Sequence, residues 1–142
     1  MTLKNKLFEK FGLNISENIS MSKYSWFNLG GPAEYLFKPE NKKQLIEFLR
    51  QNKSNNFKVF IIGAGSNTLI RDKGIKGVVV KLGAGFNGIS LIDKDTIEVG
   101  AGVLDRKVAN FAKENNISDF EFLSCIPGSV GGAVIMNSGC YE

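Results

Sequence analysis

Apolar positions divide the chain into short helices and strands joined by glycine-rich turns. Leu3, Leu7, Phe8 and Phe11 recur at helical spacing and Gly12 stands where a helix would stop, which predicts a short amphipathic N-terminal helix. A polar stretch follows. Glu34 to Phe37 reads as a strand ending at Pro39. Asn41 is placed to cap the next helix, with Gln44 three residues on as in a capping box, and Leu45, Ile46, Phe48 and Leu49 supply its buried face. Val59 to Ile62 is wholly apolar and bounded by polar residues and glycine, the pattern of a strand central to a sheet. Val78 to Leu82 is a second such run. Ile89 to Ile92 and Thr96 to Val99 flank Asp93-Lys94-Asp95, a predicted hairpin. Leu104, Val108, Phe111 and Ala112 mark another amphipathic helix ending near Asn115 and Asn116, and Phe120 to Ile126 leads into a last glycine-rich stretch. The order is mixed α and β with its glycine-rich joints after strands, and no internal repeat or low-complexity tract interrupts it.

Composition sharpens this picture at one point. Glycine supplies 16 of 142 residues, well above the usual share of about 7%. Glycine inside an element costs roughly 0.5–1 kcal/mol, so this excess points to turns or to close backbone approach to a ligand. There is no histidine, which excludes histidine-activated nucleophiles and histidine metal ligands within the segment. Cys125 and Cys140 are too few and too far apart for a zinc site or a disulfide framework, so no metal is expected and a reducing cytoplasm is the plain reading. The N-terminus lacks the apolar core of a signal peptide, and no run approaches the roughly 20 apolar residues that span a membrane. The net charge of +4 comes from scattered lysines without interleaved aromatics, which argues against a nucleic-acid surface.

Two loops carry candidate chemistry. Gly63-Ala64-Gly65-Ser66-Asn67 directly follows the first apolar run, where successive exposed amides can form an anion-binding nest. Ser66, Asn67 and Thr68 add side-chain donors. A dinucleotide-binding Rossmann turn needs glycine where Thr68 stands and a helix after it, yet Gly74 and Gly77 break the following stretch. Neither loop ends in the Gly-Lys-Ser/Thr of a P-loop. A tight strand-to-loop turn without ligand is the competing reading of this segment alone. The second loop, Pro127-Gly128-Ser129-Val130-Gly131-Gly132-Ala133, begins a short helix whose first amides are expected to be free for an anion. Gly131 and Gly132 would each cost about 1 kcal/mol relative to alanine in that helix. Packing against a cofactor or against another backbone would offset this.

Three segments together resemble the bacterial UDP-N-acetylenolpyruvoylglucosamine reductase (MurB) family. They are Trp26-Phe27-Asn28-Leu29-Gly30-Gly31-Pro32-Ala33; Gly63 to Asn67 with Arg71-Asp72; and Ile126 through Asn137 with Gly139 and Tyr141. Gly100-Ala101-Gly102-Val103 also fits the family. The resemblance implies an α+β, PCMH-type (vanillyl-alcohol-oxidase-like) FAD-binding fold of two small α/β subdomains, the second incomplete at the C-terminus. Its implied divisions are a lead-in over 1–20, a first subdomain over 21–82 and a second over 83–142, with the substrate-binding domain absent. FAD would be gripped by Gly63, Ala64, Gly65, Ser66, Asn67 and Thr68 from one side, and by Pro127, Gly128, Ser129, Gly131, Gly132 and Ala133 from the other. Asn137 and Gly139 would border the flavin. The implied reaction uses NADPH to reduce FAD, which then reduces UDP-N-acetylglucosamine enolpyruvate to UDP-N-acetylmuramate for peptidoglycan. The family's catalytic arginine, serine and glutamate would lie beyond Glu142, so no catalytic residue is assigned and the chain alone is expected to be inactive. An absent part of the second subdomain would leave an open sheet edge. The alternatives are a different flavin oxidase of this fold and a free-standing nucleotide- or phosphate-binding module.

Overall fold

The computed structural model describes residues 9–140. Most of the expected N-terminal helix therefore lies outside the described residues; 9–11 are helical, and a 3-10 turn, Gly12–Asn14, follows. The main sheet contains β1 (Ile15–Ser20), β2 (Pro32–Phe37), β3 (Val59–Ile62) and β4 (Ile75–Lys81) in the order β1-β2-β4-β3. β1 runs antiparallel to β2, while β2 and β3 each run parallel to β4. A second sheet is the two-stranded antiparallel hairpin of β5 (Ile89–Asp93) and β6 (Thr96–Val99), where the sequence predicts one. Three helices complete the order: α1 (Lys42–Asn55), α2 (Asp105–Glu114) and α3 (Val130–Met136).

β1 occupies part of the lead-in that the sequence reading left as polar chain. Its serines, glutamate and asparagine have poor strand propensity, and Asn18 adopts a left-handed φ of 51°. Ile15 is nevertheless buried opposite Phe37. A second correction concerns β3, expected to be central. It is an edge strand, with Phe60 42% and Ile61 76% exposed. β4 takes the interior place, starting earlier than expected and stopping at Lys81. Val78, Val79 and Val80 are all buried, as in a strand covered on both faces.

Residues alternate across a strand, and the sheet accordingly divides two cores. Tyr35, Phe37, Val78 and Val80 pack with Phe11, Ile15 and Phe48 on one face. Ala33, Leu36 and Val79 pack with Met21, Ile62 and Ile70 on the other. The β2–β4 register slips between Ala33 and Tyr35, and beyond the slip Leu36 rather than Tyr35 shares the face of Ala33.

α1 covers the first face. Its cap forms as expected: the Asn41 side chain accepts from the Gln44 amide at 3.0 Å. The reciprocal bond goes one residue further upstream, with the Glu40 amide donating to Gln44 Oε1 at 2.8 Å. The expected apolar face narrows to Phe48, with Leu45 partly buried; Ile46 and Leu49 are exposed. Phe48 meets Phe37 at a ring separation of 4.7 Å and Phe11 at 6.2 Å. In α2, Val108 and Ala112 are buried, whereas Leu104 precedes the helix as its exposed N-cap.

Because Phe48 ties α1 to both Phe37 and Phe11, Phe48→Ala is expected to cost about 3–5 kcal/mol of unfolding free energy. Ile46→Ala, on the exposed flank, should change it by well under 1 kcal/mol. Urea denaturation of both variants checks the contrast.

Candidate functional site

The parallel strands β3 and β4 end side by side, Ile62 opposite Lys81. The carboxyl ends of parallel strands are where open α/β sheets bind ligands, and the turn from Gly63 to Thr68 emerges there. Gly65 has a φ of +78°, and a Cβ on it would run into the carbonyl of Tyr24. The segment from Tyr24 to Phe27 holds this turn by its carbonyls. Trp26 donates its amide to Gly65 O at 3.1 Å, and Ser25 donates its hydroxyl to Thr68 O at 2.8 Å. Ser25 Oγ in turn accepts from the Phe27 amide at 3.3 Å. With the carbonyls tied down, the amides are left over. Among the described residues, the amides of Ala64, Gly65, Ser66, Asn67 and Thr68 donate to no protein acceptor. A run of unpaired N–H groups on one glycine turn is the kind of backbone from which anion-binding nests are built.

The second loop reaches the same place. A Cβ on Gly63 would stand 2.7 Å from Ser129 Oγ and 3.8 Å from the Cα of Gly132. One on Gly128 would stand 2.7 Å from Asp105 Oδ2 and 4.0 Å from Ser66 Oγ. The two glycine segments therefore abut along a seam. The expectation that the first amides of α3 are free holds for Gly132 but is corrected for the two before it: Val130 donates to Val103 O and Gly131 to Ala101 O, both at 2.9 Å. Ala133 donates to Ser129 O at 2.8 Å. Gly131 is small because Ala101 packs against it, its added Cβ falling 3.1 Å from the Ala101 Cβ.

Pro127 is exposed at the loop's entry, and Asn67 is exposed at the tip of the first turn. Asn137 ends α3 in the left-handed conformation and Gly139 stands in open space; no hydrogen bond joins either to the first turn. Arg71, Gly30 and Gly31 act in the scaffold. Gly31 donates to Arg71 O at 3.1 Å, and its lack of a side chain admits the Asp72 carbonyl.

Two residues escaped the sequence reading. Lys81, half-buried at the end of β4, donates from Nζ to Gly63 O at 2.7 Å. Burial lowers its pKa, Lys38 lowers it further, and Tyr24 opposes both. Asp105 is wholly buried, and neither carboxylate oxygen has a partner; Ser129 Oγ is likewise buried and unpaired. Burial raises the pKa of Asp105. As the first residue of α2, Asp105 reads in sequence as an ordinary acid at a helix start, and Lys81 as the solvated end of a valine run. Among the described residues, no group of three or more histidine, cysteine, aspartate or glutamate side chains could hold a metal, and no helix is long and apolar enough to cross a membrane.

Free amides, the unpaired Ser129 hydroxyl and bare glycine backbone together suit an anionic dinucleotide. A family model described as an FAD binding domain matches residues 33–142 of the chain. The chain belongs to that family. This FAD-binding domain is 46% identical over 137 residues to the UDP-N-acetylenolpyruvoylglucosamine reductase of Pelagibacter ubique, across 94% of the chain and 45% of the relative. The protein of the same name from Caulobacter vibrioides is 43% identical over 122 residues, across 86% of the chain and 40% of the relative. The crystal structure of UDP-N-acetylenolpyruvylglucosamine reductase (MurB) from Thermus caldophilus aligns with a TM-score of 0.70 at 31% identity, covering 87% of the chain and 42% of that protein. The chain thus spans less than half the length of these relatives. The family resemblance read from the three glycine-bearing segments is borne out, and with it the PCMH-type FAD-binding fold of mixed helix and sheet.

Two stability measurements follow from the seam. Gly65→Ala places a side chain against backbone at positive φ, and is expected to destabilise by about 1–3 kcal/mol with no single compensating change. Gly63→Ala meets only a side-chain hydroxyl, so Ser129→Ala should recover most of its loss in a double-mutant cycle. For Asp105, a raised folded pKa means that stability present below the ordinary value of 3.8 is lost as pH rises through the folded value. Asp105→Asn should therefore melt higher than the parent at neutral pH, with the difference vanishing toward the acid end. Thermal melts across pH check this.

Proposed function

We propose that the chain is the FAD-holding front part of an NADPH-dependent reductase that converts UDP-N-acetylglucosamine enolpyruvate to UDP-N-acetylmuramate, a cytoplasmic step of peptidoglycan synthesis. The observation that carries the binding role is the run of five unpaired amides, Ala64 to Thr68, beside the second glycine segment. The names and coverage of its relatives support the reaction.

In this reading, the nest formed by Ala64, Gly65, Ser66, Asn67 and Thr68 takes the diphosphate, with Gly63 leaving its backbone bare. The side chains of Ser66, Asn67 and Thr68 add donors at the same turn. Gly128, Ser129 and Gly132 form the opposing wall, and Pro127, Gly131 and Ala133 shape the loop that presents them. Asn137 and Gly139 border the flavin side. Residues 21–82 and 83–142 act as the two halves of the grip. When bound, FAD supplies the hydride-transfer chemistry, and the protein supplies orientation and a water-poor setting. The catalytic acid and the groups that steady the substrate carboxylate are assigned to other parts of the enzyme.

The intact protein, purified and assayed anaerobically, is expected to carry noncovalent flavin that NADPH bleaches and that UDP-N-acetylglucosamine enolpyruvate reoxidises. A protein with no affinity for FAD would rule out the binding role. Flavin that stays attached after denaturation would favour the oxidase alternative, and flavin that the enolpyruvyl substrate fails to reoxidise would exclude the reductase.

A further inference from the structure

The turn that offers its amides is itself held from behind by a cation. Lys81 Nζ donates to the carbonyl of Gly63 at 2.7 Å. The described backbone contains no cis peptide, and in a trans peptide the C=O and N–H of one plane point in opposite directions. The amide sharing that plane belongs to Ala64, the first of the unpaired donors. We propose that Lys81 is a positioning residue for the cofactor's diphosphate: its grip on Gly63 O aims the Ala64 amide at the bound anion and adds positive charge behind the nest. The inference rests on the FAD-binding reading of the site.

Two further observations support it. Among the described residues, no salt bridge joins Lys81 or Lys38 to a carboxylate. The groups that act on Lys81 are a second cation, Lys38, and Tyr24. Lys38 lies 4.9 Å from the centre of the Tyr24 ring, and the Tyr24 carbonyl is the group packed beneath Gly65. Two cations are thus gathered at the carboxyl ends of β2 and β4, next to a turn built of donors, and among the described residues no carboxylate forms a salt bridge with either. A diphosphate supplies the missing negative charge. Burial and Lys38 both favour the neutral amine, so the ammonium's contribution fades at a pH below the ordinary lysine value.

The test compares the intact protein with Lys81→Met and Lys81→Arg, titrated with FAD, ADP and riboflavin by fluorescence or calorimetry. Lys81→Met should weaken FAD and ADP by about tenfold or more, the loss expected when a charge-assisted hydrogen bond is removed. Riboflavin, which lacks phosphate, should bind unchanged. Lys81→Arg should restore most of the loss. The parent's FAD affinity should fall as pH rises toward 10.5, and the arginine variant should stay flat over that range. Equal FAD and ADP affinity in Lys81→Met and the parent would overturn the inference. So would a uniform weakening of all three ligands accompanied by a lower apo-protein melting temperature, which marks a structural role only. A parent that binds neither FAD nor ADP removes the FAD reading and this inference together.

Discussion

The approach of Gly63 to Ser129 and Gly132 governs the rest of the molecule. It brings Gly63 so close to Ser129 that a methyl group there would have to displace the Ser129 hydroxyl. It also requires the first turn to face the second loop in a fixed pose. That pose comes from three sources: the parallel ends of β3 and β4, the carbonyl ties from Ser25 and Trp26, and the grip of Lys81 on Gly63 O. Each tie uses an acceptor of the turn and none uses a donor. Satisfying the carbonyls in this way leaves five successive N–H groups without a protein acceptor among the described residues, donors that solvent or an anion can meet.

The glycines divide by task. Gly65, Gly31 and Gly74 lie where chain crosses chain, and each is small because a carbonyl of Tyr24, Asp72 or Pro32 passes close by. Gly131 is small for Ala101. All of these but Gly74 belong to the segments that carry the family resemblance, yet their immediate reason is backbone packing. Gly63, Gly128 and Gly132 instead border the seam itself. A signature can thus be specific to a family of binding proteins while many of its letters encode the scaffold.

What was legible in the sequence follows from how local the causes are. The Asn41 cap, the β5–β6 hairpin, the turn at Gly63 and the short helix after Pro127 all depend on neighbours within a few residues, and all are found. Errors arise where a distant partner decides. Val59 to Ile62 and Val78 to Val80 look alike as apolar runs, and only the strand order makes one an edge and the other the interior. The amides of Val130 and Gly131 look free until Val103 and Ala101, some thirty residues upstream, arrive to accept them. β1 is hidden because polar Glu17 takes the inward place between Ile15 and Ile19, so the letters do not show the alternation that the burial follows. Asp105 and Lys81 carry no motif; burial makes the one notable and the bond to Gly63 O the other.

The strand order also dictates how the nest comes into being. β4 lies between β2 and β3 although it follows both in the chain, so neither earlier strand has its final parallel neighbour until β4 inserts. Such non-local pairing is slow to form. A nascent chain that has reached Ile62 can fold α1 and pair β1 with β2, but β3 then lacks any strand to register against. The turn after it has no seat, and its tether at Lys81 is the last residue of the strand still to be placed. Completion of the turn therefore waits on one late wedge, and on the proposed reading a partly folded chain offers FAD no half-built cradle.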